Sequence, residues 1–600
     1  MRSIGKGVAL AVVLCAVSAL AVCAPPRAAA STAPSPAAVS YRIGIDQDCD
    51  GMNPFVSWSS ISWECFRLGY DFLTRYDADY RPVPDVATSW ETSDDGRTWT
   101  FHIREGMKWH DGEPLTAHDV AFTYNLILDT QHWAFIQYLT GVTSVTAPDD
   151  ATVVITTSEP NAGMLALYIP ILPEHVWEKV DPDHLDRFRN MPFVGSGPFR
   201  VTEVEKGKWV RLEANREYPD ELGGSPRLDE LYFVISENTD AMIEDYKAGS
   251  LDAVVDFPAT YMKVLAGLPG TTTVAAPAVG FHELGFNCWR SPKSKGNPLL
   301  RDSVIRQAVH WAIDKEKIVA TSVAGLAEPG TSLISVAQGD WHWEVPEAGQ
   351  YRYDPLRAKR MLEDAGYSDR DGDGIRETAD GDELSFRLVA LTEYAEDQAA
   401  AKMIVSWCRD VGIELTLEQK DEAAFSDDIY DNADYDLFIW SWGGDIDPGF
   451  MLSTFTTTQI LNWGDSQYSN PEYDRLYVRQ AEAFDPAHPE DTTQRKALTD
   501  QMQKILYRDT PYIILWYNLN LQAFRTDRWR GYAMAPGDDG APFWNFIRTS
   551  YIDLQPVGTG VAADEGSAPW LWAVGAVAAV AVILVVLLLA RRRPKPVEQP

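Results

Sequence analysis

Six hundred residues are more than one hydrophobic core normally serves, so two or more lobes are expected. With 45% hydrophobic and 23% charged residues the composition is that of a folded globular chain, not a disordered one. The formal net charge of −35 argues against nucleic acid and anionic lipid as partners.

At the N-terminus Arg2 and Lys6 precede the apolar run from Val8 to Val22, and Ala28, Ala29 and Ala30 follow. Residues 1–30 therefore read as a secretory signal peptide. A lipid anchor at Cys23 is disfavoured because Val22 stands where a lipobox needs a small residue. Cys15 and Cys23 fall in the signal segment, which leaves Cys49, Cys65, Cys288 and Cys408 in an oxidising compartment. The nearest pair, Cys49 with Cys65, is the preferred bridge, with free buried thiols as the alternative.

Residues 31–40 form a flexible leader, and the strand YRIGI follows. Asn53 and Pro54 then lie in a loop before the first helix, with Trp58, Trp63 and Phe66 on the loop-to-helix segment. The stretch from Asp85 to Val120 is a turn, strand, turn and helix. Asp94, Asp95 and Gly96 suit a tight reversal. Trp99, Phe101 and Ile103 alternate with Thr98, Thr100 and His102 at the period of a half-buried strand. Thr116, three residues before Asp119, starts the helix through Val120, Ala121, Tyr124 and Leu126. His110 and Asp111 fall in the second turn and carry no catalytic signature.

As a whole, DVATSWETSDDGRTWTFHIREGMKWHDGEPLTAHDV resembles the signature of the family 5 extracellular solute-binding proteins, the peptide-binding receptors of ABC importers. Further blocks are similar to that family. GSGPFRVTEVEKGKWVRLEANREY is physically a hairpin turning at Gly207. Arg306, Gln307 and Ala308 with Ala312, Ile313 and Asp314 match within LRDSVIRQAVHWAIDKEKIV, which reads as one amphipathic helix. Tyr468, Asn470, Pro471 and Asp474 match in NWGDSQYSNPEYDRL. The resemblance implies an α/β, two-lobed, periplasmic-binding-protein-like fold of the type II, Venus-flytrap kind. Lobe 1 would span 31–300, with an insertion subdomain at about 76–190, lobe 2 would span 301–514, and 515–555 would return to lobe 1. FHELGFNC, around 280–288, would begin the crossing between lobes.

The candidate site lies in the second lobe. The apolar strand YDLFIWSW delivers Trp440 and Trp442, and then Asp445 and Asp447, into a glycine loop, placing an aromatic wall beside a carboxylate. Peptide-binding members of the family have an Asp in the matching loop that holds the ligand's α-ammonium. Asp445 matches that place, with Asp447 as the alternative. The resemblance also makes the Asn53 region, with Trp58 and Trp63, one wall of the ligand cleft. Asp369, Asp371 and Asp373 alternate as in a calcium loop, but Ile375 comes one place early and Asp380 stands where a bidentate Glu belongs. Those departures favour a solvated acidic turn, with a structural calcium as the other reading, and no other cofactor is expected.

Residues 556–568 read as a linker, rich in Gly, Ala, Pro and acids. The apolar run from Trp570 to Ala590 has membrane-spanning length and is followed by Arg591, Arg592 and Arg593, so 569–590 is expected to be a transmembrane helix and 591–600 a cytoplasmic tail. The expectation is a single-pass, membrane-anchored, extracellular or periplasmic receptor that captures peptides by lobe closure and delivers them to an ABC permease. No GxxxxGK[ST] is present, which places the permease and ATPase on separate chains. Alternatives are the same receptor for oligosaccharides, nickel or another small solute and, more remotely, a membrane-anchored hydrolase. Without GxSxG or HExxH the chain is not expected to be an enzyme.

Overall fold

The computed structural model describes residues 38–558 apart from Trp58 and Glu237. Local chemistry starts the first lobe's insertion. Strands Ala87–Thr92 and Thr98–Ile103 form a hairpin whose turn holds Gly96 at φ +67°, a conformation glycine takes without a Cβ clash. Trp99, Phe101 and Ile103 all point into the core. The helix Ala117–Thr130 opens with a reciprocal capping box, in which Asp119 accepts the Thr116 amide at 2.9 Å. This helix packs on a four-stranded sheet in which Thr98–Ile103 and Thr152–Thr157 are central.

A mixed sheet of eleven strands organises the rest. On the first-lobe side Ser40–Ile45 lies between parallel Glu230–Ile235 and Ala253–Val255, and the hairpin Phe199–Glu205 with Trp209–Ala214 forms the edge. On the second-lobe side Ser385–Leu391 pairs in parallel with Glu414–Lys420 and Leu437–Gly443. Two long antiparallel strands, Thr271–Phe286 and Tyr512–Arg525, join the halves. Their ladder is interrupted between Pro277 and Phe281. Pro277 has no N–H to donate, and a Cβ at Gly280 would meet the Trp442 carbonyl at 2.9 Å. The crossing strand thus begins at Thr271 rather than near 280, because its first residues are half-buried Thr and Val that carry no apolar alternation. Each side has its own large apolar core, one around Ile43, Phe66 and Phe233, the other around Leu284, Ile404 and Phe438.

Three expectations are corrected. Among the described residues no helix is long and apolar enough to cross a membrane, so the described fold is two-lobed α/β without a spanning helix; the run from Trp570 to Ala590, like the signal segment, lies outside the described residues. The Cys49–Cys65 bridge is not formed: all four described cysteines are free and buried, and the Cys49 thiol lies 3.3 Å from the Ser62 hydroxyl. The segment read as one helix from Leu300 is two, Ser303–Ala312 and Lys315–Ser322, because Asp314 leaves helical geometry and caps the second by accepting the Lys317 amide at 2.9 Å.

Candidate functional site

Where the two lobes face each other lies a cavity of about 560 Å³. From the first lobe, Ser60, Trp63 and Arg67 line it at helical spacing on Ser60–Gly69, and Tyr138 reaches it from the short turn Ile136–Leu139. From the second lobe, strand Leu437–Gly443 presents Trp440 and Trp442 two residues apart, on one face, with ring centroids 6.5 Å apart. The strand ends at Gly443, and Asp445 follows in the loop.

Asp445 and Asp447 have different surroundings. Asp447 accepts both arms of the buried Arg495 guanidinium, one at 2.7 Å, and the Gly449 amide at 2.8 Å. Its charge is spent within the second lobe. Asp445 lines the cavity, and among the described residues no cation forms an ion pair with it. Removal from water pushes its carboxyl up to about 6, opposed by the hydrogen bond that the Tyr138 hydroxyl donates from the other lobe. Gln338 fixes the loop by donating to the Asp445 carbonyl at 2.9 Å.

Trp63 lines the cavity with its ring stacked on Tyr168 at 5.6 Å. Asn53 does not line it, which corrects its placement as a cleft residue. Its amide is buried and donates to the Leu185 and Phe188 carbonyls, both at 2.7 Å, while its side-chain oxygen accepts the Phe55 amide. Trp58 lies outside the described residues. Asp369, Asp371 and Asp373 are exposed, with oxygens within 4.8 Å of one another. Each already accepts a loop amide; Asp369 takes Gly372 and Gly374, at 2.7 and 3.0 Å. His110 is likewise a scaffold residue, its ring meeting the Gly197 carbonyl at 3.0 Å, with burial pushing its pKa down to about 4. Gly195 and Gly197 serve backbone contact, since a Cβ at either would strike the Gly69 or Leu68 carbonyl.

Sequence reasoning missed Arg67, Tyr138, Phe450 and Trp463, all of which line the cavity. It also missed two acids behind the aromatic wall. Asp465, inside the NWGDSQY block, accepts the Trp442 indole N–H at 3.1 Å and the Tyr512 hydroxyl, and burial pushes it up to about 7. Glu283, opposite Trp440 on the neighbouring strand, is fully buried with neither carboxyl oxygen hydrogen-bonded, and burial pushes it well above the carboxylate range. A Glu inside the apolar string FHELGF was the available signal.

The model for bacterial extracellular solute-binding proteins, family 5 Middle, matches residues 81–463. The chain belongs to this family. Among similar proteins, the oligopeptide-binding protein AppA of Bacillus subtilis is 26% identical over 503 residues, covering 81% of this chain and 87% of AppA. Protein XP55 of Streptomyces lividans is 30% identical over 503 residues, covering 82% of this chain and 86% of XP55. The structure of Bacillus subtilis AppA in complex with a nonapeptide matches with a TM-score of 0.71 at 25% identity, over 86% of this chain and 99% of that chain. NikZ from Campylobacter jejuni, in complex with Ni(L-His), shares the fold with a TM-score of 0.71 at 22% identity, over 86% of this chain and 99% of that chain. The matches to these solved structures support the two-lobed part of the expected fold.

Proposed function

We propose that this chain is the receptor of an ABC importer for di- or oligopeptides, holding its ligand's ammonium group at Asp445 and passing it to a permease and ATPase on separate chains. The observation that carries this reading is a carboxylate with no cation paired to it among the described residues, in a cavity walled by both lobes. A ligand touching Trp63 on one side and Trp442 on the other would stabilise the closed arrangement by contacts that the open one lacks. Similarity over most of the chain to an oligopeptide-binding protein supports peptides as the solute class.

The test is calorimetry of the purified chain with peptides from two to nine residues, free or acetylated at the N-terminus. Free peptides should bind and acetylated ones should lose at least about tenfold, a change of about 1.4 kcal/mol. Asp445→Asn should impose a similar loss on the free peptides. Equal affinity for both forms would overturn the role of Asp445. The aromatic faces of Trp440 and Trp442 favour a second reading, stacking on sugar rings. Heat with oligosaccharides and none with peptides would install it instead.

A further inference from the structure

Among the described residues two charged side chains line the cavity, Arg67 and Asp445. Arg67 is already neutralised in the wall: its guanidinium pairs with buried Glu64, which also accepts the Tyr551 hydroxyl at 2.6 Å, and its Nε donates to Tyr168 at 2.8 Å. Asp445 accepts the Tyr138 hydroxyl but forms no ion pair among the described residues. Behind the wall, Asp465 and Glu283 also form no ion pair among the described residues. With Arg67 balanced by Glu64, the lining meets a ligand with one unbalanced carboxylate, that of Asp445.

The rings beside Asp445 form a corner. Trp442 and Phe450 lie 6.2 Å apart with planes at 67°, Phe450 and Trp463 5.5 Å apart at 80°, and Trp442 and Trp463 6.2 Å apart at 53°. Tyr138, whose hydroxyl reaches Asp445, stacks on Phe450 at 6.4 Å. Ring faces carry negative potential, so steeply inclined rings around one space attract a positive charge there. Attraction of this kind needs no N–H on the ligand, unlike a hydrogen bond to Asp445 alone.

We infer that the cavity selects organic cations by charge and ring faces together, seating the cation in the Trp442–Phe450–Trp463 corner beside Asp445 and accepting fully alkylated ammonium groups as well as primary amines. This rests on the cavity being the ligand site proposed above. Its volume, about 560 Å³, lies in the roughly 300–1,000 Å³ range of sites that enclose a small molecule, so the cation's body is compact.

The purified full-length chain is titrated by calorimetry with choline, its neutral carbon isostere 3,3-dimethylbutan-1-ol, ethanolamine and a free-amine dipeptide, at roughly pH 8 so that Asp445 is ionised. Choline should bind at least about tenfold more tightly than the isostere. Asp445→Asn and Trp463→Leu should each remove most of that preference, while Trp463→Phe, which keeps a ring, should retain most of it; thermal melting checks that each variant is folded. Equal binding of choline and isostere overturns the inference, as does the absence of heat from choline. Binding of ethanolamine and the dipeptide without choline also overturns it, yet leaves the peptide reading standing. Binding of choline without the dipeptide supports the inference and removes the peptide reading.

Discussion

In the first lobe, Asp71 and Asp85 are fully buried and both close on the guanidinium of Arg548, which also donates to Tyr218 at 2.7 Å. In the second lobe, Asp465 and Glu283 are as deeply buried, with phenols and an indole around them and no cation paired to them among the described residues. The first arrangement ties the returning C-terminal segment to two loop residues ahead of the insertion's first hairpin, and a guanidinium is buried with its carboxylates. The second leaves its acids without a paired cation among the described residues, beside a cavity. Burying a charge is tolerated when a partner is buried with it, so acids buried without one, next to empty volume, mark the place where the molecule is built for something other than its own stability.

Breaking the paired side should have the largest effect. Arg548→Met strands two carboxylates and should cost about 3–5 kcal/mol in urea unfolding. If that loss is absent, the contrast between the lobes fails. Arg495→Met, which frees Asp447, should cost about 2 kcal/mol, as expected for losing hydrogen bonds to a partly shielded charge, while choline and dipeptide binding still prefer the cation. A sharp rise in charge preference would show that the freed Asp447, not Asp445 alone, is an anionic group that matters.

pH sharpens the same contrast. Asp445 is held at about 6, so a cationic ligand should bind tightly above that pH and lose affinity below it, approaching about tenfold per unit. Calorimetry between about pH 5 and 8 reads this; a flat profile excludes Asp445 as the ligand's counter-charge. The smallest effect belongs to Glu283. Its pKa is raised in the fold above the ordinary 4.5, so it favours folding at low pH and costs stability as pH rises above that ordinary value. Glu283→Gln should therefore raise the melting temperature more at pH 8 than at pH 5, with a gain of roughly 1 kcal/mol. No difference between the two pH values would mean that the group is paired after all.

The parts of the fold that the sequence made legible are those whose cause is local. The capping pair Thr116 and Asp119, the Gly96 and Gly207 turns, and the strand bearing Trp99 and Phe101 each follow from a few neighbouring residues. The break at Asp314 was missed because helical periodicity runs across it and only the cap geometry interrupts it. Cys49 and Cys65 stand close in sequence, but Cys49 faces Ser62, a pairing that spacing cannot convey. Asn53 was rightly placed before a helix, yet nothing local says that its amide turns inward to Leu185 and Phe188 rather than outward. At the site, the strand and loop announced Trp440, Trp442 and Asp445, whereas Tyr138 lies 307 residues from the carboxylate it meets, and only the crossing strands bring the two together.

The Tyr138 hydroxyl makes the receptor its own competitor. By donating to Asp445 from across the cleft, it supplies the carboxylate with a hydrogen that, on the proposed reading, an arriving cation must displace or share. Every ligand then enters by exchange, and its affinity is a difference between two bonds rather than the strength of one. Such a trade holds cargo less firmly than the site's charge alone would, and a carrier that must surrender its cargo at each cycle gains from a grip that the phenol can take back.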